Sequence, residues 1–191
     1  MKKERKTRHL EWSELQRLIK EMKADNNRLH LLCTIQAMLG LRVGDVLSLT
    51  WGDLLSNAEM RLTEQKTGKS RKLIVNESLR AAVQEEFEKG FNTKMSELIF
   101  INKHKTKAIS ISYVNRSLKS AFEKYGVEAE QVSSHLLRKS FSYKILTDNN
   151  FSDKAIFLVS RLLNHANINT TMKYLMLDER EEDNIYKGLT I

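Results

Sequence analysis

Residues 58–76 read AEMRLTEQKTGKSRKLIVN, and their pattern differs from the helical patterns on either side. Two extended-looking arms flank the tetrapeptide KTGK, and a glycine there suits a tight turn. We predict a β-hairpin that turns near Gly68, the clearest strand signal in the chain. Lys66 lies at the tip of this hairpin, close to Lys69 and Arg71. Charged residues in such a turn ordinarily do no more than keep it soluble.

Most other stretches have helical patterns, in keeping with a chain that has no proline and only seven glycines. A capping-box sequence predicts a first helix from Ser13, and an apolar run predicts a second over 28–39 that stops near Gly40. Further helices are predicted near Val43, over 77–91, 112–126 and 135–147, and after Ser152 and Asn169. Residues 96–102 are a candidate strand. The predicted fold is mainly α with a small β-hairpin, in the α+β class.

Length and charge narrow the kind of protein. A chain of 191 residues, 41% hydrophobic and 29% charged, is long enough for one folded domain with a sizeable core. Its 32 Lys and Arg residues outnumber 24 Asp and Glu residues, which gives a net charge of +8. This surplus favours a polyanionic partner such as nucleic acid or an anionic membrane, although charge alone does not establish one.

The single cysteine and the absence of long apolar runs indicate where the protein works. Cys33 lies in an apolar run, which favours a core residue over a nucleophile, and no disulfide framework is possible. No run approaches the roughly 20 apolar residues of a membrane span, and the first residues lack the apolar segment of a secretory signal. We expect a soluble intracellular protein.

A histidine and an arginine share one face of the predicted helix over 135–147. Leu137, Phe141 and Ile145 form an apolar stripe, and His135 and Arg138 lie three residues apart on a face outside it. Together they could hold one phosphate, with the guanidinium as a two-pronged donor. An isolated His-x-x-Arg is nevertheless usually a solvated helix face.

Near the C-terminus, a tyrosine faces away from the apolar side of its helix. Met172, Leu175 and Met176 share one face, and Tyr174 lies about half a turn away. His165 lies in the connection before this helix. Taken singly, each is more simply explained as an ordinary surface residue.

Arg42 lies between Gly40 and the short helix near Val43, and Asp45 is its predicted ion-pair partner and supporting residue. A structural salt bridge is the ordinary interpretation of such a pair. The histidines lack the close spacing with Cys, Asp or Glu that zinc sites show, and no Gly-rich phosphate loop is present.

In chain order these residues lie in the segments GLRVGDVLSLTW, KTGK, HLLR, NH and MKYL. The set resembles the catalytic domain of the tyrosine recombinases, the phage-integrase family, over about residues 10–177. The matching positions are Arg42, Lys66, His135, Arg138, His165 and Tyr174. One His-x-x-Arg is weak evidence, whereas six residues in the family order are strong evidence.

The chain departs from the family pattern in three respects. Asn164 stands where the family usually has glycine, and so it is expected to alter the turn that aims His165. Lys139 follows the second arginine, where the family often has histidine. Only a short basic run precedes the first helix, whereas most members carry a DNA-clamping domain there. The chain thus resembles an excised catalytic domain or a single-domain member such as the recombinases that invert fimbrial promoter switches.

The resemblance implies site-specific DNA recombination, meaning integration, excision or inversion. Arg42 and Arg138 would hold the non-bridging oxygens of the scissile phosphate, with hydrogen bonds from His135 and His165. Tyr174 would attack the phosphorus in line, giving a 3′-phosphotyrosyl DNA and a free 5′-hydroxyl.

The resemblance also assigns the proton transfers. His135 would accept the proton of the attacking phenol, whose ordinary pKa is about 10, and Lys66 would protonate the leaving 5′-oxygen. Lys66, Lys69 and Arg71 are candidate DNA-binding residues. No cofactor and no metal are expected, because the covalent intermediate conserves the bond energy.

The resemblance divides the chain into a basic arm or linker at 1–9, a catalytic domain at 10–178 and a tail at 179–191. The expected partners are double-stranded DNA and other protomers in a DNA-bound synaptic assembly, with no membrane partner, and the expected location is the cytoplasm, at the nucleoid. In this family the tail commonly docks on a neighbouring protomer. Its apolar residues are Ile185, Tyr186 and Leu189.

Two other functions remain open from the sequence. A recombinase relative that only binds DNA could serve as a regulator, although intact Tyr174 and both arginines count against it. Relaxation of DNA in the manner of a type IB topoisomerase would use the same covalent step without strand exchange.

Overall fold

The structure is a computed structural model that describes residues 9–90 and 93–177. The predicted tail at 179–191 and nearly all of the predicted N-terminal arm lie outside these residues. Within them the chain forms two strands and several helices. The helices are α1 (Trp12–Asp25), α2 (Asn27–Leu39), α3 (Val43–Leu47), α4 (Trp51–Leu55), α5 (Glu77–Glu88), α6 (Ile111–Lys124), α7 (Ser134–Asp148), α8 (Asp153–Leu162) and α9 (Ile168–Leu175), and the strands are β1 (Glu59–Thr63) and β2 (Ser70–Ile74).

The two strands form the predicted hairpin. β1 and β2 pair antiparallel, with Glu59 opposite Ile74 and Thr63 opposite Ser70. Along β1, Met60 and Leu62 are buried while their neighbours are exposed, as expected for a strand with one face on the core. The α+β prediction is confirmed.

The described chain falls into two compact units, with the boundary between Phe141 and Ser142 inside α7. The first unit is built around α2, which is buried on nearly every side. Cys33 in this helix is completely buried, which confirms it as a core residue. The α2 helix ends as predicted at Gly40, which has a left-handed φ of 60°. No helix among the described residues has the length and apolarity to cross a membrane.

Two helix starts differ from the predictions by one or two residues. The α1 helix begins at Trp12 after Glu11, without a side-chain cap, so the capping box predicted at Ser13 is wrong. The α9 helix begins at Ile168 because the side chain of Asn167 accepts a hydrogen bond from the Thr170 backbone N–H. It ends at Leu175, one residue before Met176, the last apolar residue in its pattern.

The strand predicted at 96–102 is not formed. Only two isolated bridges occur there, Thr50 with Leu98 and Ile101 with Ala108. The pairing does not continue beyond Thr50, because the chain there turns into α4, a helix that was not predicted. Thr50 is the N-cap of this helix and forms a capping box with Asp53.

Of the apolar stripe predicted for α7, only Leu137 is completely buried. Phe141 and Ile145 are only half-buried, whereas 136–140 are all buried. Polar side chains of this helix are buried in the interior, where they form hydrogen bonds. The Ser140 hydroxyl donates to the Leu136 carbonyl at 3.1 Å and accepts from the Leu10 N–H at 2.8 Å.

Candidate active site

Arg42 is held by a partner far away in the sequence. It precedes α3 at the N-cap position, and its Nη1 donates to Glu64 Oε2 at 2.5 Å. The Arg42 side chain is 20% exposed, and the Glu64 side chain is completely buried. The ion pair predicted between Arg42 and Asp45 is wrong, because Glu64 occupies the position of the carboxylate partner.

Asp45 instead ties α3 to the hairpin turn. Its Oδ1 accepts a hydrogen bond from the Gln65 backbone N–H at 3.0 Å. Asp45 is 2% exposed, so this bond fixes the turn from the buried side. Asp45 thus contacts the predicted site through the backbone of the turn.

Lys66 lies in the exposed turn that follows β1. The turn is closed by the Gly68 N–H, which donates to the Glu64 carbonyl at 2.9 Å. Gly68 has a left-handed φ of 66°, the conformation for which a glycine is favoured. The hydrogen-bonded turn therefore fixes the backbone position of Lys66 and leaves its side chain exposed.

Arg138 is a buried cation beside the segment that carries Arg42. It is 2% exposed, and its Nη1 donates to the Gly40 carbonyl at 2.6 Å. Gly40 also packs closely on α7, since a Cβ atom there would lie 2.4 Å from Phe141 ring atoms. The end of α2 therefore positions both arginines of the predicted set.

His135 lies in the first turn of α7, only partly exposed to water and close to several cations. Loss of surrounding water lowers the pKa of its imidazole, and the charges of Arg138, Lys139, Lys66 and Arg42 lower it further. A histidine in this setting is neutral at neutral pH and able to accept a proton.

The two basic residues predicted to bind DNA through the hairpin have different surroundings. Lys69 is exposed at the turn. The Arg71 side chain is only 10% exposed, and its Nε lies 3.4 Å from Glu64 Oε1. This placement favours a DNA contact for Lys69 and a structural role for Arg71.

His165 is placed by the end of α8. The His165 N–H donates to the Ser160 carbonyl and the Asn164 N–H donates to the Arg161 carbonyl, both at 3.0 Å. These two bonds and the left-handed φ of 55° at Asn164 form a Schellman motif. Asparagine adopts this conformation more readily than most residues, so Asn164 makes the turn for which the family usually has glycine.

His165 and Tyr174 lie against each other in the second unit. Their ring centroids are 5.6 Å apart in an edge-to-face arrangement. The other side of this pair is anchored by Thr171, whose Oγ1 lies 2.8 Å from His165 Nδ1 and which is completely buried. One turn of α9 thus carries both the predicted nucleophile and the residue that orients its histidine neighbour.

The structure groups the predicted site residues within each unit. In the first unit Arg42, Lys66 and Arg138 all act electrostatically on His135. In the second, His165 contacts Tyr174. Among residues 9–90 and 93–177, no three His, Cys, Asp or Glu side chains form a group that could hold a metal ion.

Two residues of the site were not predicted. Glu64 continues the buried phase of β1 after Met60 and Leu62, so strand alternation could have indicated an inward carboxylate. Thr171 has no comparable signal, because a threonine on a short helix is equally common at the surface.

Comparison with known proteins identifies the class. The model of the phage integrase family matches residues 8–181. A probable integrase/recombinase of Bacillus subtilis, YoeC, is 32% identical over 162 residues, which are 85% of this chain and 84% of that protein. The tyrosine recombinase XerD of Rickettsia bellii is 28% identical over 180 residues, covering 82% of this chain and 54% of the relative. The chain thus spans about half the length of the XerD relatives.

Solved structures share the fold. The crystal structure of XerA recombinase matches 100% of this chain and 67% of its own, with a TM-score of 0.70 and 21% identity. A structure of XerH bound to a palindromic difH substrate matches 95% of this chain and 53% of its own, with a TM-score of 0.71 and 21% identity.

The fold is therefore that of a tyrosine recombinase catalytic domain. With the family model matching nearly its whole length, the chain belongs to the phage integrase family.

Proposed function

We propose that this chain catalyses site-specific recombination of double-stranded DNA by cleaving a strand through Tyr174 and rejoining it to another strand. The observation that carries the proposal is the placement of two fixed guanidinium groups near the end of α2: Arg42 is held by buried Glu64, and Arg138 by the Gly40 carbonyl. A phosphodiester resists attack because its anionic oxygens repel a nucleophile, and fixed positive charge offsets that repulsion as the phosphorus becomes pentacoordinate.

Each group has one role in the cleavage step. The guanidinium groups of Arg42 and Arg138 hold the non-bridging oxygens. Tyr174 Oη forms the new bond to phosphorus while its proton passes to His135, which loss of surrounding water and the neighbouring cations keep neutral. The bond to the 5′-oxygen breaks, and that oxygen takes its proton from Lys66. His165 donates a hydrogen bond to the phosphate, supported by its contact with Thr171.

Rejoining uses the same groups in reverse. A 5′-hydroxyl from a second DNA strand attacks the 3′-phosphotyrosyl bond and releases Tyr174, so the energy of the original phosphodiester is conserved. Exchange between two sites requires more than one protomer on DNA. A structure neighbour, lambda integrase, is described as a dimer bound to a COC′ core site.

Covalent trapping tests the proposal. The protein is incubated with nicked suicide duplexes that carry candidate sites from the flanking genomic sequence, and SDS-resistant adducts are counted. Tyr174→Phe is expected to bind DNA and form no adduct. Tyr113→Phe is the matched control, because Tyr113 is 49% exposed, and it should form as much adduct as the parent.

Other results would support the competing functions. DNA binding without any adduct from the parent would contradict catalysis and favour a DNA-binding regulator. An adduct accompanied by plasmid relaxation, without joint products between two sites, would favour a topoisomerase-like activity.

A further inference from the structure

Glu64 is a completely buried carboxylate at the start of the turn that carries Lys66. It follows β1 in the inward phase set by Met60 and Leu62. A buried carboxylate is costly unless cations and hydrogen-bond donors surround it. The catalytic mechanism proposed above assigns it no role.

The carboxylate of Glu64 contacts three side chains. Oε2 accepts hydrogen bonds from Arg42 Nη1 at 2.5 Å and from Thr67 Oγ1 at 2.9 Å. Oε1 lies 3.4 Å from Arg71 Nε. The carboxylate therefore joins a phosphate-binding arginine to the residue that follows Lys66.

The backbone of Glu64 closes the same turn. Its N–H donates to the Lys69 carbonyl at 3.0 Å, and its carbonyl accepts from the Gly68 N–H at 2.9 Å. Lys66 thus lies in a short loop whose two ends meet at Glu64. Movement of the Glu64 side chain would be transmitted to both Arg42 and the loop.

The carboxylate is ionised at neutral pH. Burial by itself raises the pKa of Glu64, but the hydrogen bond from Thr67 and the charges of Arg42 and Arg71 outweigh it, so the pKa lies below its ordinary value. The negative charge that orients the Arg42 guanidinium is therefore permanent under physiological conditions.

We propose that Glu64 is a positioning residue that holds the Arg42 guanidinium and the Lys66 turn in one arrangement, so that phosphate binding and protonation of the leaving group are aligned. This inference rests on the proposed recombinase function. It assigns to Glu64 no contact with DNA.

Two DNA substrates distinguish an effect of Glu64 on Arg42 from its effect on the Lys66 turn. In the first, the scissile 5′-oxygen is normal and needs a proton to leave. In the second, that bridging oxygen is replaced by sulfur, which leaves as a thiolate without a proton. The sulfur substrate should therefore restore the rate of adduct formation when the Lys66 turn is misplaced. It should not restore the rate when Arg42 is misplaced.

Glu64→Gln removes the charge at nearly constant size. It should slow adduct formation about 10- to 100-fold on the oxygen substrate, as expected for misplaced catalytic groups, and sulfur should recover only part of the loss. Thr67→Val loosens the turn alone, so its smaller loss should be fully recovered. Glu59→Gln is the matched control, since Glu59 pairs with exposed Lys72 at 2.6 Å on the same hairpin, and it should keep the parental rate.

Amide hydrogen exchange gives a second measurement that does not depend on catalysis. Glu64→Gln should speed exchange at the Gly68 amide, and Glu59→Gln should not. If the melting curve of Glu64→Gln shows that it does not fold, the adduct-formation rate and the Gly68 amide exchange are measured on Thr67→Val, whose side chain lies in the exposed turn.

Three outcomes would overturn the inference: rates for the Glu64→Gln or Thr67→Val protein within twofold of the parent, full recovery of Glu64→Gln by sulfur, or unchanged exchange at Gly68. Absence of an adduct from the parent protein would instead contradict the proposed function. The exchange experiment still decides the positioning role in that case.

Discussion

Thr171 and His165 are joined by a hydrogen bond of 2.8 Å between the threonine hydroxyl and Nδ1 of the imidazole. When the hydroxyl donates to Nδ1, the ring proton lies on Nε2, which can then donate to a phosphate oxygen. In that direction the buried hydroxyl favours the tautomer that the proposed chemistry needs.

Replacement of Thr171 by valine keeps the shape of the side chain and removes the hydroxyl. We expect a loss of about 1 kcal/mol in the free energy of unfolding and a roughly 10-fold slower adduct formation, because the His165 ring is no longer held. Thr170→Val is the control, since the Thr170 hydroxyl faces Asn167 at 3.1 Å. Equal rates for the two variants would contradict the role of Thr171.

Gly40→Ala should destabilise the protein through two effects. Its φ of 60° disfavours alanine, and the added Cβ would lie 2.4 Å from the Phe141 ring. Together these cost about 2–4 kcal/mol in the free energy of unfolding, measured by urea denaturation. Gly126→Ala is the control for backbone strain alone, because its φ is 61° and nothing lies within 4 Å. A similar loss in both variants would show that the Phe141 contact is not restrictive.

The pKa of His135 should reflect both its loss of surrounding water and its cationic surroundings. Its NMR titration, assigned with His135→Gln, should have a midpoint below the ordinary value of about 6.5. Added salt should raise the midpoint, because it screens the charges of Arg42 and Lys66. Since the folded pKa is the lower one, the unfolded state binds more protons as pH falls below the ordinary value, and the histidine then reduces stability. A midpoint at or above 6.5 would contradict this description.

Lys69 and Arg71 should respond differently to substitution by glutamine. Loss of exposed Lys69 should weaken DNA binding and reduce the magnitude of the salt-dependence slope by about 0.9, the value for one phosphate contact. Loss of Arg71 should leave that slope nearly unchanged and lower the free energy of unfolding by about 2 kcal/mol, because Glu64 loses a buried partner. Binding titrations and denaturation curves distinguish them; the reverse assignment would mean that Arg71 turns outward on DNA.

Features with local causes could be predicted from the sequence. The end of α2 depends on one glycine in the left-handed conformation, and the hairpin depends on a glycine in the turn between two extended arms. The start of α9 is also local, yet the cap is Asn167 and not Asn169. Two asparagines so close together compete for the same function, and sequence spacing does not rank them.

Features that depend on distant contacts could not be predicted. Sequence spacing predicts Asp45, three residues from Arg42, as its partner, whereas the observed partner Glu64 is 22 residues from Arg42. Only the fold brings the hairpin to the start of α3. The burial of Arg138 has the same origin, because the Gly40 carbonyl that accepts its hydrogen bond belongs to another helix end.

The left-handed turn at Asn164 has an evolutionary consequence. In the genetic code no single base change converts a glycine codon into an asparagine codon, but aspartate codons lie between them. Glycine, aspartate and asparagine are also the residues that tolerate the φ of 55° found here. The turn before His165 can therefore change residue by single steps without passing through a backbone-strained intermediate, and the histidine stays in place throughout.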